Sequence, residues 1–253
     1  MTTHTPTALS IGVIGLGAMG QGMASSLRRA GHHVSVCDVR YEAAEAFAQE
    51  GGSAYKTPAE LAQATDIIVS VVVNAEQTEQ VLFGAHGAAA HMKAGSLFIM
   101  CSTVDPNWSV ALEKRLNDMG LLYLDAPISG GAAKAASGQM TMMTSGNAAA
   151  YAKAGNALES MAANVYKLGD RAGYGSKVKI INQLLAGVHI AAAAEAMALG
   201  LREGVAADAL YEVITNSAGN SWMFENRMAH VLKGDYTPLS AVDIFVKDLG
   251  LVL

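Results

Sequence analysis

The chain has 253 residues, which exceeds one average domain and suggests two domains that each bury a core. Its formal net charge of -5 offers no basic surface for nucleic acid or an anionic membrane. The two cysteines form no disulfide framework, the seven histidines are scattered along the chain, and neither cysteine is interpreted as lying at metal-ligand spacing from a histidine, so no metal site is predicted. Residues 1–10 lack the basic segment and apolar core of a signal peptide, and we expect a soluble cytoplasmic protein.

Between residues 10 and 168, short apolar runs alternate with amphipathic segments of helical length. The runs are rich in β-branched residues and bounded by Gly or Asp, as buried parallel strands are, and the intervening segments suit crossover helices. The predicted strands are Ile11–Leu16, Val34–Asp38, Asp66–Val73, Leu97–Met100, Leu121–Asp125, Met140–Thr144 and Val165–Leu168. This alternation predicts an α/β fold with a doubly wound, Rossmann-type parallel sheet.

Two helix starts in this region are explicit. Thr57-Pro58-Ala59-Glu60 has the pattern of a capping box with proline at the first helical position. Asp105-Pro106 predicts a second capped start, which leads into a helix over Asn107–Met119.

After Gly175 the strand signals end, and Ser176–Glu203 predicts one long helix of about 42 Å. Its nearly uncharged part contains Asn182, Gln183 and many alanines, which favours a buried helix over a membrane span. Further helices are predicted over Asp208–Asn216, Ser221–Leu232 and from Asp243 onwards. We therefore predict an all-α domain over residues 173–253, joined by the long helix to a dinucleotide-binding domain over residues 1–172.

A glycine-rich turn follows the first predicted strand and opens a predicted helix over Ala18–Ala30. Its sequence is Gly15-Leu16-Gly17-Ala18-Met19-Gly20. Gly15 permits the tight turn, Gly17 lets the backbone approach a pyrophosphate, and Gly20 lets helix and strand pack closely. The helix N-terminus offers unpaired N–H groups and a positive dipole to the phosphates. An ordinary glycine turn is the alternative, but the order of strand, motif, helix and acid favours a dinucleotide site.

The second predicted strand ends in Asp38-Val39-Arg40, about twenty residues after the turn. The Asp38 carboxylate can accept hydrogen bonds from the adenosine ribose hydroxyls and would repel a 2′-phosphate, which favours NAD as cofactor. The Arg40 guanidinium could instead hold that phosphate and so speaks for NADP. We regard Asp38 as the stronger signal.

A polar loop, Asp125-Ala126-Pro127-Ile128-Ser129-Gly130-Gly131, follows another predicted strand. Ser129 offers a hydroxyl, and Gly130 and Gly131 offer backbone N–H groups that no side chain obstructs. This combination suits an anion such as a carboxylate, although an ordinary tight turn would show the same residues.

Two lysines compete as candidates on the long helix, and helical geometry separates them. At 100° per residue, Lys179 shares a face with Asn182 and Gln183, whereas Lys177 points about 200° away from Lys179. Lys177 is better explained as extending to solvent. The polar stripe beside Lys179 indicates a site, although hydrogen-bonded packing of a buried helix is the alternative.

Four ordered motifs resemble those of the β-hydroxyacid dehydrogenases, a family that includes 3-hydroxyisobutyrate dehydrogenases and tartronate semialdehyde reductases. The resemblance runs from about Ile11 to Leu253. The motifs are the glycine turn, Asp125–Gly131, Gly173-x-Gly175-x-x-x-Lys179-x-x-Asn182 and Phe245-x-Lys247-Asp248-Leu249.

The resemblance implies oxidation of a small hydroxy acid by NAD, with Lys179 as the catalytic acid and base and Asn182 as a substrate-binding residue. It also implies that Ser129, Gly130 and Gly131 hold the substrate carboxylate. The remaining positions fall where the family contacts the cofactor: Thr103 on the nicotinamide side, Lys247, and the loop Val72-Val73-Asn74. A lysine base needs a pKa below its ordinary ~10.4, and burial would lower it.

Three further segments resemble family members that oxidise four-carbon sugar acids: Leu184–Ile190, Ala218–Asn226, and Tyr236-Thr237-Pro238 leading into Val242–Phe245. 3-Hydroxyisobutyrate and tartronate semialdehyde are the alternative substrates. An imine reductase is a competing hypothesis that Lys179 disfavours, because such enzymes generally lack this lysine. A non-catalytic NAD-binding protein is a third.

Two departures from the family pattern are visible. Gln183 stands where many relatives have a second asparagine, which alters the reach of that side chain. The family members also carry further residues after the position of Leu253, so we expect an incomplete helical domain. Because relatives assemble through their helical domains, we expect a homo-oligomer formed by the long helix and the C-terminal segments.

Overall fold

The computed structural model describes residues 8–237 and 243–253. Pro238 and Val242, which belong to one segment that resembles the sugar-acid oxidising members, lie outside the described residues. The chain divides into two compact units, Met1–Lys179 and Ile180–Leu253. The division falls within one long helix, and the boundary between residues 172 and 173 stays a prediction.

The first unit alternates strands and helices. Its strands are β1 Ser10–Ile14, β2 His33–Cys37, β3 Ser53–Ala54, β4 Ile67–Ser70, β5 Leu97–Met100, β6 Leu122–Asp125, β7 Ile128–Ser129, β8 Met140–Thr144 and β9 Ala162–Lys167. Its helices are α1 Gly20–Arg29, α2 Tyr41–Gln49, α3 Pro58–Ala64, α4 Ala75–Phe83, α5 Pro106–Asp118, α6 Gly131–Ser137, α7 Ala148–Ala154 and α8 Ala157–Met161.

Six parallel strands form the main sheet in the order β3-β2-β1-β4-β5-β6. Ile14 at the end of β1 pairs with Cys37 of β2 on one side and with Ser70 of β4 on the other, so the order reverses here. In such sheets a ligand binds outside the carboxyl ends of the strands at this reversal. The predicted doubly wound parallel sheet is confirmed.

Both faces of this sheet are covered by helices, which explains the nearly continuous apolar composition of the strands. Met23 and Leu27 of α1 pack in the core of one face, and Leu61 of α3 and Leu112 of α5 pack in that of the other. All four side chains are fully buried or within 1% of it. This packing holds the carboxyl ends of β1, β2, β4 and β5 in fixed positions.

The predicted helix starts are confirmed. The Thr57 hydroxyl accepts a hydrogen bond from the Glu60 N–H at 3.2 Å, and the Glu60 carboxylate accepts one from the Thr57 N–H at 3.3 Å. The Asp105 carboxylate accepts bonds from the first N–H groups of α5. These side chains satisfy donors that the helix itself leaves unpaired.

The last two predicted strands belong to a second sheet, which corrects the prediction of uniformly buried parallel strands. β8 pairs antiparallel with β7, a two-residue strand that the sequence did not predict, and parallel with β9. Four of the six residues of β9 are exposed, because β9 forms the edge of this small sheet. Short edge strands carry weak apolar patterns, which explains why β7 and β3 were missed.

The long helix α9, Tyr174–Arg202, begins two residues before its predicted start. The second unit contains the remainder of α9 with α10 Ala207–Thr215, α11 Trp222–Leu232 and α12 Asp243–Gly250, and its described residues form no strand. Its core contains Ala193, Met197, Phe224 and Met228, and Tyr211 stacks on Phe224. The predicted all-α organisation is confirmed for the described part of this unit.

Among the described residues, α9 is the one helix long and apolar enough to cross a membrane. Only 17% of its most apolar stretch is buried, so the prediction that this helix is buried is wrong for the described structure. A single helix of this length and composition is weak evidence for a membrane span.

Candidate active site

The three glycines of the turn after β1 have different surroundings. Gly15 has a φ of +95°, and a Cβ there would lie 2.5 Å from the Val71 carbonyl oxygen. A Cβ on Gly20 would collide with the Gly15 carbonyl oxygen. A Cβ on Gly17 would meet no atom within 4 Å. Gly15 and Gly20 are therefore required by the turn itself, whereas the open space at Gly17 is available to a ligand.

The helix α1 starts at Gly20, two residues later than predicted. Its N-cap residue Met19 makes no side-chain cap hydrogen bond, and its first turn contains no acidic residue. Gly17 and Ala18 are exposed, whereas the Leu16 side chain is buried in the core. An exposed backbone before an uncapped helix N-terminus fits the pyrophosphate of a dinucleotide, because N–H groups and the helix dipole both attract anions.

Asp38 lies just past β2, and its side chain is 8% exposed. One carboxylate oxygen accepts a hydrogen bond from the Leu16 N–H at 2.6 Å, and the other accepts one from the Arg40 N–H at 2.8 Å. Each oxygen keeps a lone pair that a ribose hydroxyl can use. Val39 is fully exposed, and the Arg40 guanidinium lies 3.6 Å from the same carboxylate. The acid is therefore held against the glycine turn, as the dinucleotide site requires.

The loops after β4 and β5 are tied together. The Ser102 hydroxyl donates to the Val72 carbonyl oxygen at 2.8 Å, which brings the segment of Thr103 beside Val72. The Asn74 side chain caps α4 by accepting from the Gln77 N–H at 2.8 Å, and the Val73 N–H donates to the Gln77 side chain. Val73 is half exposed. Asn74 thus shapes this loop, and the loop lies beside the carboxyl end of β1.

Ser129, Gly130 and Gly131 form the link from β7 to α6. Ser129 lies in β7 opposite Thr141. Gly130 has a φ of +142° and Gly131 a φ of +76°, conformations that favour glycine. Ser129 and Gly130 are partly exposed and Gly131 is exposed, so their polar groups remain accessible.

The two lysines of α9 differ as their helical positions predict. Lys179 is 6% exposed, whereas Lys177 is exposed and its ammonium lies 5.2 Å from the centre of the exposed Tyr174 ring. The prediction that these lysines face different environments is confirmed. Lys179 is the buried cationic side chain among the described residues of α9.

Sequence reasoning included Asp125 in a motif but gave it no role of its own. Its side chain is fully buried and receives hydrogen bonds from the Gly173 and Ser176 N–H groups and from the Ser145 and Ser176 hydroxyls. Burial raises the pKa of the Asp125 carboxyl above its ordinary value, and these donors oppose the rise. A charged residue at the end of the apolar run Leu121–Leu124 was the available signal.

In the second unit, Asn182 and Gln183 belong to a chain of polar contacts. The Asn182 amide N–H donates to the Gln183 side-chain oxygen at 3.1 Å, and the Gln183 amide N–H donates to the Asp248 carboxylate at 2.6 Å. Lys247 forms an ion pair with Asp248 at 2.7 Å. Asp248, which is 1% exposed, therefore fixes the orientation of the Gln183 amide and, through it, that of Asn182.

Neither cysteine is available as a nucleophile. Burial raises the pKa of Cys101 to about 12 and that of Cys37 to about 11, with smaller contributions from nearby carboxylates. Across residues 8–237 and 243–253, no three His, Cys, Asp or Glu side chains group as a metal site needs.

Comparison with known proteins identifies the family. A model described as the NAD binding domain of 6-phosphogluconate dehydrogenase matches residues 10–169. A second, described as the NAD-binding domain of NADP-dependent 3-hydroxyisobutyrate dehydrogenase, matches residues 173–253. An L-threonate dehydrogenase from Cupriavidus necator is 67% identical over 96% of this chain and 82% of its own.

Two solved structures support the same assignment. A 3-hydroxyisobutyrate dehydrogenase from Salmonella typhimurium is 52% identical, with a TM-score of 0.90 over 96% of this chain and 85% of its own. A 3-hydroxyisobutyrate dehydrogenase from Mycobacterium tuberculosis, solved with L-serine, is 28% identical, with a TM-score of 0.86 over 97% of this chain and 86% of its own. The glycine turn, the open space at Gly17 and Asp38 fit the NAD that both family models imply. The chain belongs to the β-hydroxyacid dehydrogenase family and is an NAD-dependent dehydrogenase that acts on the CH–OH group of a hydroxy acid.

Proposed function

We propose that the protein oxidises L-threonate, a four-carbon sugar acid, at carbon 2 to the 2-keto acid. The observation that carries this choice of substrate is the 67% identity with an L-threonate dehydrogenase across 96% of the chain. The second candidate is 3-hydroxyisobutyrate, because a 52% identical structure is described as a dehydrogenase of that acid.

Lys179 is the proposed acid and base. Bound NAD would supply the acceptor for the hydride of carbon 2. As that C–H bond breaks, Lys179 accepts the hydroxyl proton, and the C–O bond becomes a carbonyl. Lys179 is a suitable group because its side-chain amine can exchange a proton with the hydroxyl, and because its side chain is buried at 6% exposure, away from bulk water.

Ser129, Gly130 and Gly131 are the proposed binding groups for the substrate carboxylate, together with Asn182. The Ser129 hydroxyl and the N–H groups of the two glycines are donors, and a carboxylate accepts from such donors. The positive φ values of Gly130 and Gly131 keep their N–H groups clear of any Cβ. The Asn182 amide is oriented by Gln183, so its remaining N–H and its oxygen have fixed directions.

The proposed cofactor-binding residues form three groups around the carboxyl ends of the strands, with one further lysine. These residues are Gly15, Leu16, Gly17, Ala18, Met19 and Gly20 of the turn, Asp38, Val39 and Arg40 after β2, Val72, Val73, Asn74 and Thr103 in the tied loops, and Lys247 of α12. The tie between the loops after β4 and β5 supports their acting as one surface. We propose a preference for NAD over NADP, because the Asp38 carboxylate is held beside the glycine turn and would repel the 2′-phosphate of NADP.

Replacing Asp38 by alanine is expected to weaken NAD binding by about 1–3 kcal/mol and to narrow the preference over NADP, because charge-assisted hydrogen bonds to the ribose are lost. Fluorescence titration of both cofactors measures this. The matched variant is Arg40→Ala, which keeps the carboxylate and its hydrogen bond from the N–H of residue 40 and should therefore keep the preference for NAD over NADP. An Asp38→Ala protein with unchanged selectivity would show that Asp38 is not the discriminating residue.

We also propose a soluble, cytoplasmic homo-oligomer. In the second unit, α9 exposes Ile181, Leu185, Val188 and Leu199, each more than half exposed, at spacings that repeat along one side of a helix. Such a stripe is suited to contact with a second copy. Light scattering in detergent-free buffer should give the mass of two or more chains, and Leu185→Glu should lower it, whereas Val213→Glu on α10 should not. A monomer at micromolar concentration would contradict the proposed assembly.

The proposed function is tested by following NADH formation with a panel containing L-threonate, 3-hydroxyisobutyrate and glycerate, the alcohol whose oxidation gives tartronate semialdehyde. The highest kcat/KM is expected for L-threonate. Reduction of cyclic imines without any oxidation of hydroxy acids would support the imine reductase alternative. NAD binding without turnover of any substrate would support the non-catalytic alternative.

A further inference from the structure

The first turn of α9 is fastened to the end of β6 by one buried carboxylate. One oxygen of Asp125 accepts from the Gly173 N–H at 2.9 Å, the Ser176 N–H at 3.0 Å and the Ser145 hydroxyl at 3.2 Å. The other oxygen accepts from the Ser176 hydroxyl at 2.7 Å. The N–H groups of the first helical turn have no partner within the helix, so this carboxylate satisfies donors that would otherwise be buried and unpaired.

The surroundings of Asp125 stabilise a negatively charged carboxylate. Three donors converge on one oxygen of Asp125, and a carboxylate oxygen can accept from all of them. A proton on that oxygen would face these donors and would find no acceptor among them. The N-terminal end of α9 is the positive end of the helix dipole and therefore favours the anion.

Two glycines bring the helix into direct contact with this group. Gly173 has a φ of +98°, and a Cβ on Gly175 would collide with the Met143 carbonyl oxygen and lie 3.2 Å from the Asp125 carboxylate. The Gly175 N–H donates to the Ser145 hydroxyl, which in turn donates to Asp125. The start of α9 therefore has little freedom to slide or rotate against β6 and β8.

Lys179 lies one helical turn after the contacts of Asp125 with Gly173 and Ser176, which we call the anchor of α9. Ser176, which makes two of the four contacts, precedes Lys179 by three residues and lies on the same side of the helix. We propose that Asp125 is a positioning residue for Lys179. The Asp125 carboxylate fixes the first turn of α9 along and around the helix axis, and thereby fixes the position of the base one turn later. This inference rests on the proposed role of Lys179 and adds a residue that acts through the helix.

A positioning role predicts a specific kinetic pattern. Asp125→Ala should lower kcat about tenfold or more, since a base displaced by about 1 Å loses its alignment with the hydroxyl. The Kd for NAD should stay within about twofold, because Asp125 does not contact the glycine turn or Asp38. The KM for the hydroxy acid should rise by a smaller factor than kcat falls, because Ser129, Gly130 and Gly131 stay in place although Asn182 lies on the same helix as Lys179. Asp125→Asn should restore most of the turnover, since its oxygen can accept from the donors on one side and its amide can donate to the Ser176 hydroxyl.

Asn147→Ala is the matched control for a general loss of stability. Asn147 caps α7 of the same unit and makes no contact with α9 among the described hydrogen bonds. It should lower the Tm while leaving kcat unchanged. If Asp125→Ala does not fold, the double variant Ser145→Ala with Ser176→Ala replaces it, because it removes both hydroxyl donors to Asp125. The same loss of kcat and the same Kd for NAD are then expected.

Two results would overturn the inference: a kcat for Asp125→Ala within about twofold of the unmodified protein, or equal losses in kcat and in the affinities for both ligands. Lys179→Ala separates this failure from that of the proposed function. An inactive Lys179→Ala beside a fully active Asp125→Ala would remove the positioning role alone, whereas an active Lys179→Ala would remove the proposed base.

Discussion

Lys179→Ala is expected to lower kcat for hydroxy acid oxidation by about 10²- to 10⁴-fold, the usual contribution of a positioned acid and base. The loss follows because alanine leaves no group on this face of α9 that accepts the hydroxyl proton. The Kd for NAD should change little, since the glycine turn and Asp38 are untouched. Initial rates of NADH formation and a fluorescence titration with NAD measure the two effects separately.

Lys177→Ala is the control, because the two lysines lie on the same helix and differ in burial. Its kcat should remain within about twofold of that of the unmodified protein, because the Lys177 side chain is exposed and is not part of the proposed substrate or cofactor site. If Lys177→Ala were the inactive variant, the assignment of the base from the helical face would be wrong.

Gly17→Ala is expected to abolish tight NAD binding without lowering stability. A Cβ at this position meets no protein atom within 4 Å, so the fold tolerates it. The methyl group would occupy the space that the backbone leaves for the pyrophosphate, and a loss of about 1.4 kcal/mol or more corresponds to at least a tenfold weaker Kd. Thermal unfolding and NAD titration of the same sample give both quantities.

Gly20→Ala provides the contrast to Gly17→Ala. Its Cβ would collide with the Gly15 carbonyl oxygen, so the turn itself must move. We expect a lower Tm together with weaker NAD binding. A Gly17→Ala protein that binds NAD normally would place the pyrophosphate elsewhere and would contradict the cofactor site.

The main sheet and the cofactor turn were predictable because their signals are local. Apolar runs of four to six residues, glycines at fixed spacing and a capping box each lie within a few consecutive positions. The environment of Lys179 followed in the same way, since the face of a helix depends only on the spacing of its residues. The structure confirms the sheet, the capped helix starts and the burial of Lys179.

The anchor of α9 was not predictable from local patterns. Asp125 contacts Ser145 and Ser176, which are 20 and 51 residues away in sequence. The residues adjacent to each of the three therefore contain no pattern that predicts these contacts. The second sheet was missed for a related reason. The two-residue strand β7 is too short to show an alternating pattern, and it forms because its neighbour β8 presents a free edge.

The most direct test of the proposed function uses L-threonate that carries deuterium at carbon 2 and measures, by mass spectrometry, the reduced cofactor formed during one turnover. The proposed reaction transfers the hydrogen of carbon 2 as a hydride, so the NADH should gain one mass unit, and this transfer should depend on Lys179. Unlabelled NADH would mean oxidation at another carbon. No NADH from L-threonate, with turnover of a different hydroxy acid, would contradict the assigned substrate.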